Sequence, residues 1–215
     1  YSVGWAHAMN TPYQWTKQVA SHFGGTRNGT IVHWPTHISG KNEIRSQFTH
    51  IIDIAATILD AAGIPEPDFV HGVAQMPLHG RSMLPTFNDA NSPEFRETQY
   101  FEMFCNRGIY HHGWSAVTRH STPFLIEQLP AFDDDVWELY DGSRDWTQAH
   151  DLAAQMPEKL HELQRLWMIE AAKYNVLPLD DRRPERFNPD LAGRPTLIKG
   201  DSQLLFAGMG RLTEN

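Results

Sequence analysis

The stretch NTPYQWTKQVASHFGGTRNG, residues 10–29, groups cationic side chains around a pair of glycines. Lys17 precedes Gly24 and Gly25, and Arg27 follows them. A cation beside a glycine turn is typical of phosphate-binding signatures, because glycine lets a backbone approach an anion closely. On its local chemistry alone, Lys17 also fits an ordinary surface lysine.

The best-known signature of this kind is the P-loop, and the sequence excludes it. Gly24 and Gly29 have the spacing of its two glycines, but Thr30 and Ile31 follow where the loop requires Lys and then Ser or Thr. We therefore interpret the glycines as a turn that needs positive φ or close backbone approach.

The other reactive side chains predict neither a metal site nor a nucleophile in this chain. Among the 12 histidines, His33 and His37 are separated by Pro35 and cannot share a regular helix face, so we interpret the histidines as surface or hydrogen-bonded residues. Cys105 is the one cysteine, which excludes an intrachain disulfide, and its apolar surroundings favour an inert packing residue. We expect the acidic run 133–135 to be a solvated loop.

Composition limits the partners. The 215 residues are 40% hydrophobic, which is enough for a sizeable core, and the net charge of −8 disfavours a nucleic-acid surface. The longest apolar run, 51–62, is too short for a membrane span. We expect neither nucleic acid nor membrane as a partner, and the compartment, cytoplasmic or periplasmic, stays open. The aromatic and polar start predicts that the chain is the C-terminal portion of a longer protein.

The residues around Lys17 need a scaffold, and the pattern over residues 1–90 predicts an α/β layer. Residues 30–35 predict a strand that ends at a proline. Residues 48–62 predict a helix with Thr49 as N-cap and Gly63 as stop. Its apolar residues follow helical spacing, so we expect them to be buried. They are Phe48, Ile51, Ile52, Ala55, Ile58, Leu59 and Ala62.

Residues 91–176 predict a small α+β domain. TQYFEMF, RGIYHHGWSAVTRH and VWELYD are strand-like, with a hairpin turn at His111, His112 and Gly113. A helix with Pro157 in its first turn follows, and one face carries Leu160, Leu163, Trp167, Ala171 and Tyr174. We expect an antiparallel sheet packed on this long helix. The residues 64–98 predict an irregular connection, and residues 177–215 an irregular tail on the body.

Several stretches together resemble one family. The Lys17 stretch, IVHWP, QFTHIIDIAATILDAAGIPEP, TQYFEMFCNRGIYHHGWSAVTRH, VWELYDGSRDWTQAHDLAAQMPEKLHELQRLW and YNVLPLDDRRPERFNP, in this order, are similar to the sulfatase family, specifically bacterial arylsulfatases. The resemblance implies that the chain is the C-terminal part of an alkaline-phosphatase-like α/β sandwich, followed by the small sheet and helix. It also implies hydrolysis of aryl or other sulfate esters to an alcohol and inorganic sulfate.

The resemblance implies a formylglycine nucleophile, made from the cysteine or serine of a C-x-P-x-R motif, and a calcium ion. This chain lacks the motif, since Asn-Arg-Gly follows Cys105. We therefore expect the nucleophile and the calcium carboxylates in a missing upstream part, which is the expected partner of this chain. Alone, the chain should bind no cofactor and be inactive.

By position, Lys17 resembles the family lysine whose ammonium contacts the sulfate, where a compact cation stabilises charge on the sulfuryl oxygens. His7, His22 and Arg27 are candidates for lining the same pocket. Many relatives carry an acidic residue just before the glycine pair, where this chain has His22 and Phe23. Two alternatives stay open: a phosphodiesterase or phosphonate monoester hydrolase of the same superfamily, and a non-catalytic interaction module.

Overall fold

The computed structural model describes residues 2–122 and 128–181, and the backbone of two short strands beyond them. Its helices are α1 (Val3–Asn10), α2 (Phe23–Thr26), α3 (Asp53–Ala62), α4 (Leu84–Phe87) and α5 (Pro157–Lys173). Its strands are β1 (Phe69–Val70), β2 (Val73–Ala74), β3 (Thr98–Met103), β4 (Asn106–His111), β5 (Trp114–Thr118), β6 (Trp137–Asp141), β7 (Ser202–Leu204) and β8 (Arg211–Thr213). None of the described helices is long and apolar enough to cross a membrane.

The chain divides into two compact units. The first contains residues 1–28 and 100–215, and the second residues 29–99. The predicted division at residues 90 and 176 stays a prediction. The irregular tail predicted for 177–215 falls mostly outside the described residues, and its described backbone includes the antiparallel pair β7–β8.

The first unit is built on a four-stranded sheet with the order β3-β4-β5-β6. Strands β4 and β5 form the predicted hairpin, with His111 opposite Trp114. The turn between them has two residues in the left-handed region, His112 at φ 46° and Gly113 at φ 83°. Glycine adopts this conformation without steric cost, which explains the sharp reversal at this point.

Helix α5 covers one face of this sheet, as the spacing of its apolar residues predicts. Pro157 occupies its first turn, where a missing N–H costs nothing. Leu163, Trp167 and Ala171 are buried on one stripe and pack with Ile109 and other sheet residues. The Trp167 indole N–H also donates to the carbonyl of Phe101 at 3.1 Å, so the polar atom of this large buried side chain has a hydrogen-bond partner.

Helix α3 in the second unit is oriented opposite to expectation. It ends at Gly63 in the left-handed conformation (φ 66°), as predicted, but begins at Asp53 without the predicted Thr49 cap. Its buried residues are Asp53 and Thr57, whereas Ile58 is 62% exposed. The prediction that its apolar stripe is buried is therefore wrong for this chain. The exposed stripe consists of Ile51, just ahead of the helix, and of Ile54, Ala55, Ile58 and Ala62 within it.

The inward face of α3 is held by a polar network. The Asp53 carboxylate accepts from Arg96 Nε at 2.9 Å and from the backbone N–H groups of His50 and Arg81 at 2.8 Å each. Burial alone would raise the pKa of Asp53, but these hydrogen bonds hold it below its usual range. The Thr57 hydroxyl donates to the carbonyl of Asp53 at 2.7 Å. Paired in this way, an ionised carboxylate is stable on the buried side of the helix.

Three further expectations are corrected. Residues 30–35 do not form a strand, and Ile31 is 96% exposed. A strand needs a hydrogen-bonded neighbour, and the described residues supply none to this segment. The connection 64–98 is not wholly irregular, since it contains the β1–β2 hairpin and α4. In the acidic run, Asp133 and Asp134 are exposed, but the Asp135 carboxylate is fully buried against His120 at 2.9 Å.

Candidate functional site

Lys17 lies on an irregular loop between α1 and α2 and is exposed. It forms no hydrogen bond or ion pair with the described residues, 2–122 and 128–181. Two non-glycine neighbours, Trp15 at φ 64° and Gln18 at φ 77°, are held in the left-handed region. Each such residue costs on the order of 1–3 kcal/mol and persists only where its surroundings fix it. The loop therefore presents an unpaired ammonium on a strained backbone.

The glycine pair is one of the features that fix this backbone. A Cβ on Gly24 would lie 2.1 Å from the carbonyl oxygen of Trp15, and one on Gly25 would lie 1.9 Å from that of Val19. The Gly24 N–H also donates to the carbonyl of Gln14 at 3.0 Å. These contacts confirm the interpretation of close backbone approach, because any side chain here would displace the loop that carries Lys17.

His22 is completely buried beneath this loop, with 0% of its surface exposed. Its Nδ1 lies 2.9 Å from Ser21 Oγ, and its Nε2 lies 3.1 Å from Glu138 Oε2 on β6. The hydrogen bond from His22 lowers the pKa of Glu138, and the hydroxyl of Tyr140 also donates to this carboxylate. An ionised Glu138 accepts the His22 Nε2–H, and the other ring nitrogen pairs with the serine hydroxyl.

A second set of hydrogen bonds connects the loop to the sheet. The side-chain amide of Gln14 donates to the carbonyl of Gln148, and it lies 3.3 Å from the hydroxyl of Tyr140. Burial, followed by the hydrogen bond to Glu138, raises the pKa of Tyr140, so this hydroxyl keeps its proton. Asn106 Nδ2 donates to the carbonyl of Gln18 at 3.3 Å. Residues on both sides of Lys17 are thus tied to the four-stranded sheet.

The other predicted site residues are placed differently. Arg27 is exposed, and its guanidinium lies 5.4 Å from the Tyr13 ring and 5.2 Å from the Phe23 ring. His7 is exposed on α1. Neither contacts Lys17 among the described hydrogen bonds and ion pairs. Of the predicted residues, only His22 belongs to the network beneath the Lys17 loop.

Sequence reasoning missed Glu138, Tyr140, Gln14 and Gln148. Their residue types are ordinary, and Glu138 is 116 residues away from His22 along the chain, so no local pattern connects them. The residues 2–122 and 128–181 contain no group of three or more His, Cys, Asp or Glu side chains able to hold a metal ion.

Comparison with known proteins gives one family. Residues 14–169 match the family model described as N-sulphoglucosamine sulphohydrolase, C-terminal. The matched range includes the Lys17 loop, α3, the four-stranded sheet and most of α5.

Two curated relatives are sulfatases of greater length. The chain is 27% identical over 184 residues to an uncharacterized sulfatase of Schizosaccharomyces pombe, covering 84% of this chain and 31% of that protein. It is 25% identical over 208 residues to the human N-sulphoglucosamine sulphohydrolase, covering 78% of this chain and 41% of the relative. The chain therefore spans less than half the length of either relative.

Solved structures give the same fold. A structure from Bacteroides thetaiotaomicron, described with the metabolism of multiple glycosaminoglycans, aligns with a TM-score of 0.53 at 22% identity and covers 73% of this chain and 31% of its own. The crystal structure of Ps i-CgsB aligns with a TM-score of 0.52 at 20% identity and covers 76% of this chain and 32% of its own.

Proposed function

Because the chain belongs to the N-sulphoglucosamine sulphohydrolase C-terminal family of sulfatases, we propose that it is the C-terminal part of an enzyme that hydrolyses a sulfate ester to an alcohol and inorganic sulfate. The observation that carries this proposal is the family match over residues 14–169, since it includes the loop that presents Lys17. We call the longer protein the parent enzyme. An aryl sulfate is the substrate that we propose to test first.

Lys17 is the catalytic residue of this part. Its ammonium is exposed, unpaired within the described residues and carried by a fixed backbone, which suits a group that must meet an anion without rearranging. The charge on the sulfuryl and leaving-group oxygens grows as the ester bond breaks, so a preorganised cation stabilises the transition state more than the bound ester. His7 and Arg27 are exposed in the same unit and are proposed to line the substrate pocket.

The nucleophile and the metal belong to the upstream part in this proposal. Formylglycine would supply the attacking oxygen, and calcium would neutralise sulfate charge. The described residues do not fit a calcium site, because they offer no cluster of three suitable ligands. Cys105 is fully buried and lacks the C-x-P-x-R context, so it does not fit the nucleophile.

The exposed stripe of α3 supports the upstream part as a partner. The stripe carries Ile51, just ahead of the helix, at 75% exposure, and Ile54 and Ile58 at 41% and 62%, while Asp53 and Thr57 of the helix are buried. A helix that stood at the outer surface of an independent module would show the reverse pattern. We propose that the upstream polypeptide of the parent enzyme covers this stripe, and the length of the curated relatives leaves room for it.

The experiment is kinetic. The parent enzyme should hydrolyse p-nitrophenyl sulfate, and the 215-residue chain alone should not. Lys17→Ala in the parent should lower kcat about 100- to 1000-fold, or about 3–4 kcal/mol, with a smaller change in KM. Lys17→Arg should recover little, since a planar guanidinium does not replace a compact ammonium. Lys41→Ala, at another exposed lysine, is the matched control and should keep kcat within twofold.

Formylglycine occupancy must be equal in all variants, and mass spectrometry measures it. A kcat within twofold of the parent for Lys17→Ala would make this lysine a bystander. Faster turnover of a p-nitrophenyl phosphodiester than of the sulfate would assign the parent enzyme to phosphoester hydrolysis instead. Turnover by the isolated chain would contradict the division of the site between two parts.

A further inference from the structure

We propose that His22 is a positioning residue for Lys17. It holds the loop of residues 14–18 in its strained conformation through a buried hydrogen-bond network with Glu138 and Tyr140. The proposal rests on the function proposed for Lys17, and it assigns to His22 a different role from the lining of the substrate pocket.

Burial excludes direct contact between His22 and a substrate. His22 is 0% exposed, and Ser21 beside it is 2% exposed. Both ring nitrogens already have partners, Ser21 Oγ at 2.9 Å and Glu138 Oε2 at 3.1 Å. Serine, histidine and a carboxylate in a row are also the parts of a nucleophilic triad, but a triad serine must be open to its substrate. This serine is not, so the arrangement is structural.

The network has a fixed direction. The amide of Gln14 lies within donating distance of the Tyr140 oxygen, Tyr140 donates to Glu138, and Glu138 accepts from His22 on its other side. The ionised carboxylate is thus the acceptor at the centre of the network. If His22 lost its ring, the carboxylate would lose one of its two donors beneath the loop. The Tyr140 hydroxyl would then donate to a carboxylate that is no longer held in place. The Gln14 amide, which lies beside this hydroxyl, would lose a fixed partner in turn.

The backbone of His22 makes a second connection to the loop. Its carbonyl accepts from the N–H of Gly25 at 2.9 Å and from the hydroxyl of Thr26 at 3.1 Å, which sets the first turn of α2. This turn presses the glycine pair against the carbonyls of Trp15 and Val19. By fixing His22, the side-chain contact with Glu138 therefore also fixes helix α2, whose glycines lie against the loop. Side-chain and backbone contacts of one residue act on the segment that includes Lys17.

The consequence is kinetic. A displacement of about 1 Å in a catalytic group can lower a rate about 100-fold. We expect His22→Ala in the parent enzyme to lower kcat for p-nitrophenyl sulfate by about 10- to 100-fold, with KM changed less than threefold. His22→Gln keeps an amide N–H that can reach Glu138, and it should recover part of the loss. Glu138→Gln, which removes the charge of the acceptor, should lower kcat in the same direction.

A double-mutant cycle tests whether the effect passes through Lys17. In a Lys17→Ala background, His22→Gln and His22→Ala should each change kcat less than twofold, because the group that they position is already absent. Independent losses that multiply in the double variants would overturn the proposal. The matched control is His120→Ala, another completely buried histidine with a carboxylate partner, Asp135, at 2.9 Å. It should lower stability but keep kcat within twofold, and a kcat loss equal to that of His22→Ala would also overturn the proposal.

Hydrogen exchange on the 215-residue chain gives a readout that does not need activity. His22→Gln should speed exchange at the Val19 and Gly24 amides, which donate to Thr16 and Gln14, and leave the β4–β5 amides unchanged. Unchanged exchange at both the Val19 and the Gly24 amide would overturn the proposal even if His22→Ala fails to fold. An effect of Lys17→Ala on kcat without an effect of His22→Gln or Glu138→Gln would overturn this inference alone. A silent Lys17→Ala would instead reject the proposed function and with it the role of His22.

Discussion

Ile58 should tolerate a charge in the isolated chain and not in the parent enzyme. Ile58 keeps 62% of its surface exposed on the outer stripe of α3. In the isolated chain, Ile58→Asp therefore places a carboxylate in water, and we expect a change in the free energy of unfolding within about 0.5 kcal/mol.

The magnitude in the parent enzyme follows from the area that would be covered. Full burial of an isoleucine side chain contributes about 1.5–3 kcal/mol, so covering the exposed part of Ile58 contributes about 1–2 kcal/mol. Ile58→Ala should lose about this amount in the parent. Ile58→Asp should lose several kcal/mol more, since it also places an unpaired charge in a covered site.

Hydrogen exchange of the α3 amides measures the local free energy of opening in both proteins. Thr57→Ala serves as the comparison, because the Thr57 hydroxyl bonds the Asp53 carbonyl at 2.7 Å and accepts from the Met83 N–H at 2.9 Å within residues 29–99. It should cost about 1–3 kcal/mol in chain and parent alike. An equal effect of Ile58→Asp in the two proteins would refute the reasoning, because the stripe would then have the same surroundings in both.

Three further predictions concern stability. Asp53→Asn should lower the free energy of unfolding of the chain by about 3–5 kcal/mol, because the buried Arg96 loses its anionic partner. Urea unfolding measures this loss, and a loss below about 1 kcal/mol would contradict the prediction. Gly24→Ala should loosen the Lys17 loop, because the new Cβ would lie 2.1 Å from a backbone oxygen. Hydrogen exchange of the loop amides should therefore be faster than in the unsubstituted chain, and slower exchange would contradict this prediction. The pKa values of Asp53 and Glu138 are both lowered by folding, so both carboxylates contribute stability that is present above their ordinary pKa values of 3.8 and 4.5 and is lost as the pH falls through the folded values. The melting temperature should therefore fall below about pH 4.5, and a rise on acidification would count against these assignments.

The sheet and its covering helix could be predicted because their signals are local. Alternating residues form β3 to β6, a glycine marks the β4–β5 turn, and the apolar stripe of α5 faces its own sheet within the same unit. Close approach at the glycine pair was likewise predictable from the residue type. Each of these features depends on residues that are near in sequence or on a core that the chain itself contains.

The rest depends on partners at a distance. Asp53 turns inward because Arg96, 43 residues later, meets its carboxylate, and no periodicity contains that information. The segment 30–35 has strand composition but lacks a neighbouring strand among the described residues. His22 has the character of a pocket residue in the sequence, and its burial against Glu138, 116 residues later, is visible only in the structure. Sequence patterns therefore identified the loop of Lys17 but not what supports it.

The span of the contacts around Lys17 has a consequence for biosynthesis. Gln18 contacts Asn106, His22 contacts Glu138, and Gln14 contacts Gln148. These partners lie 88, 116 and 134 residues later along the chain. During translation, the loop therefore leaves the ribosome long before its supporting sheet exists. The set of contacts that hold its strained backbone is incomplete until β6 and the segment after it are made. A ribosome that stops before residue 138 would release a polypeptide that has the lysine but lacks the means to orient it.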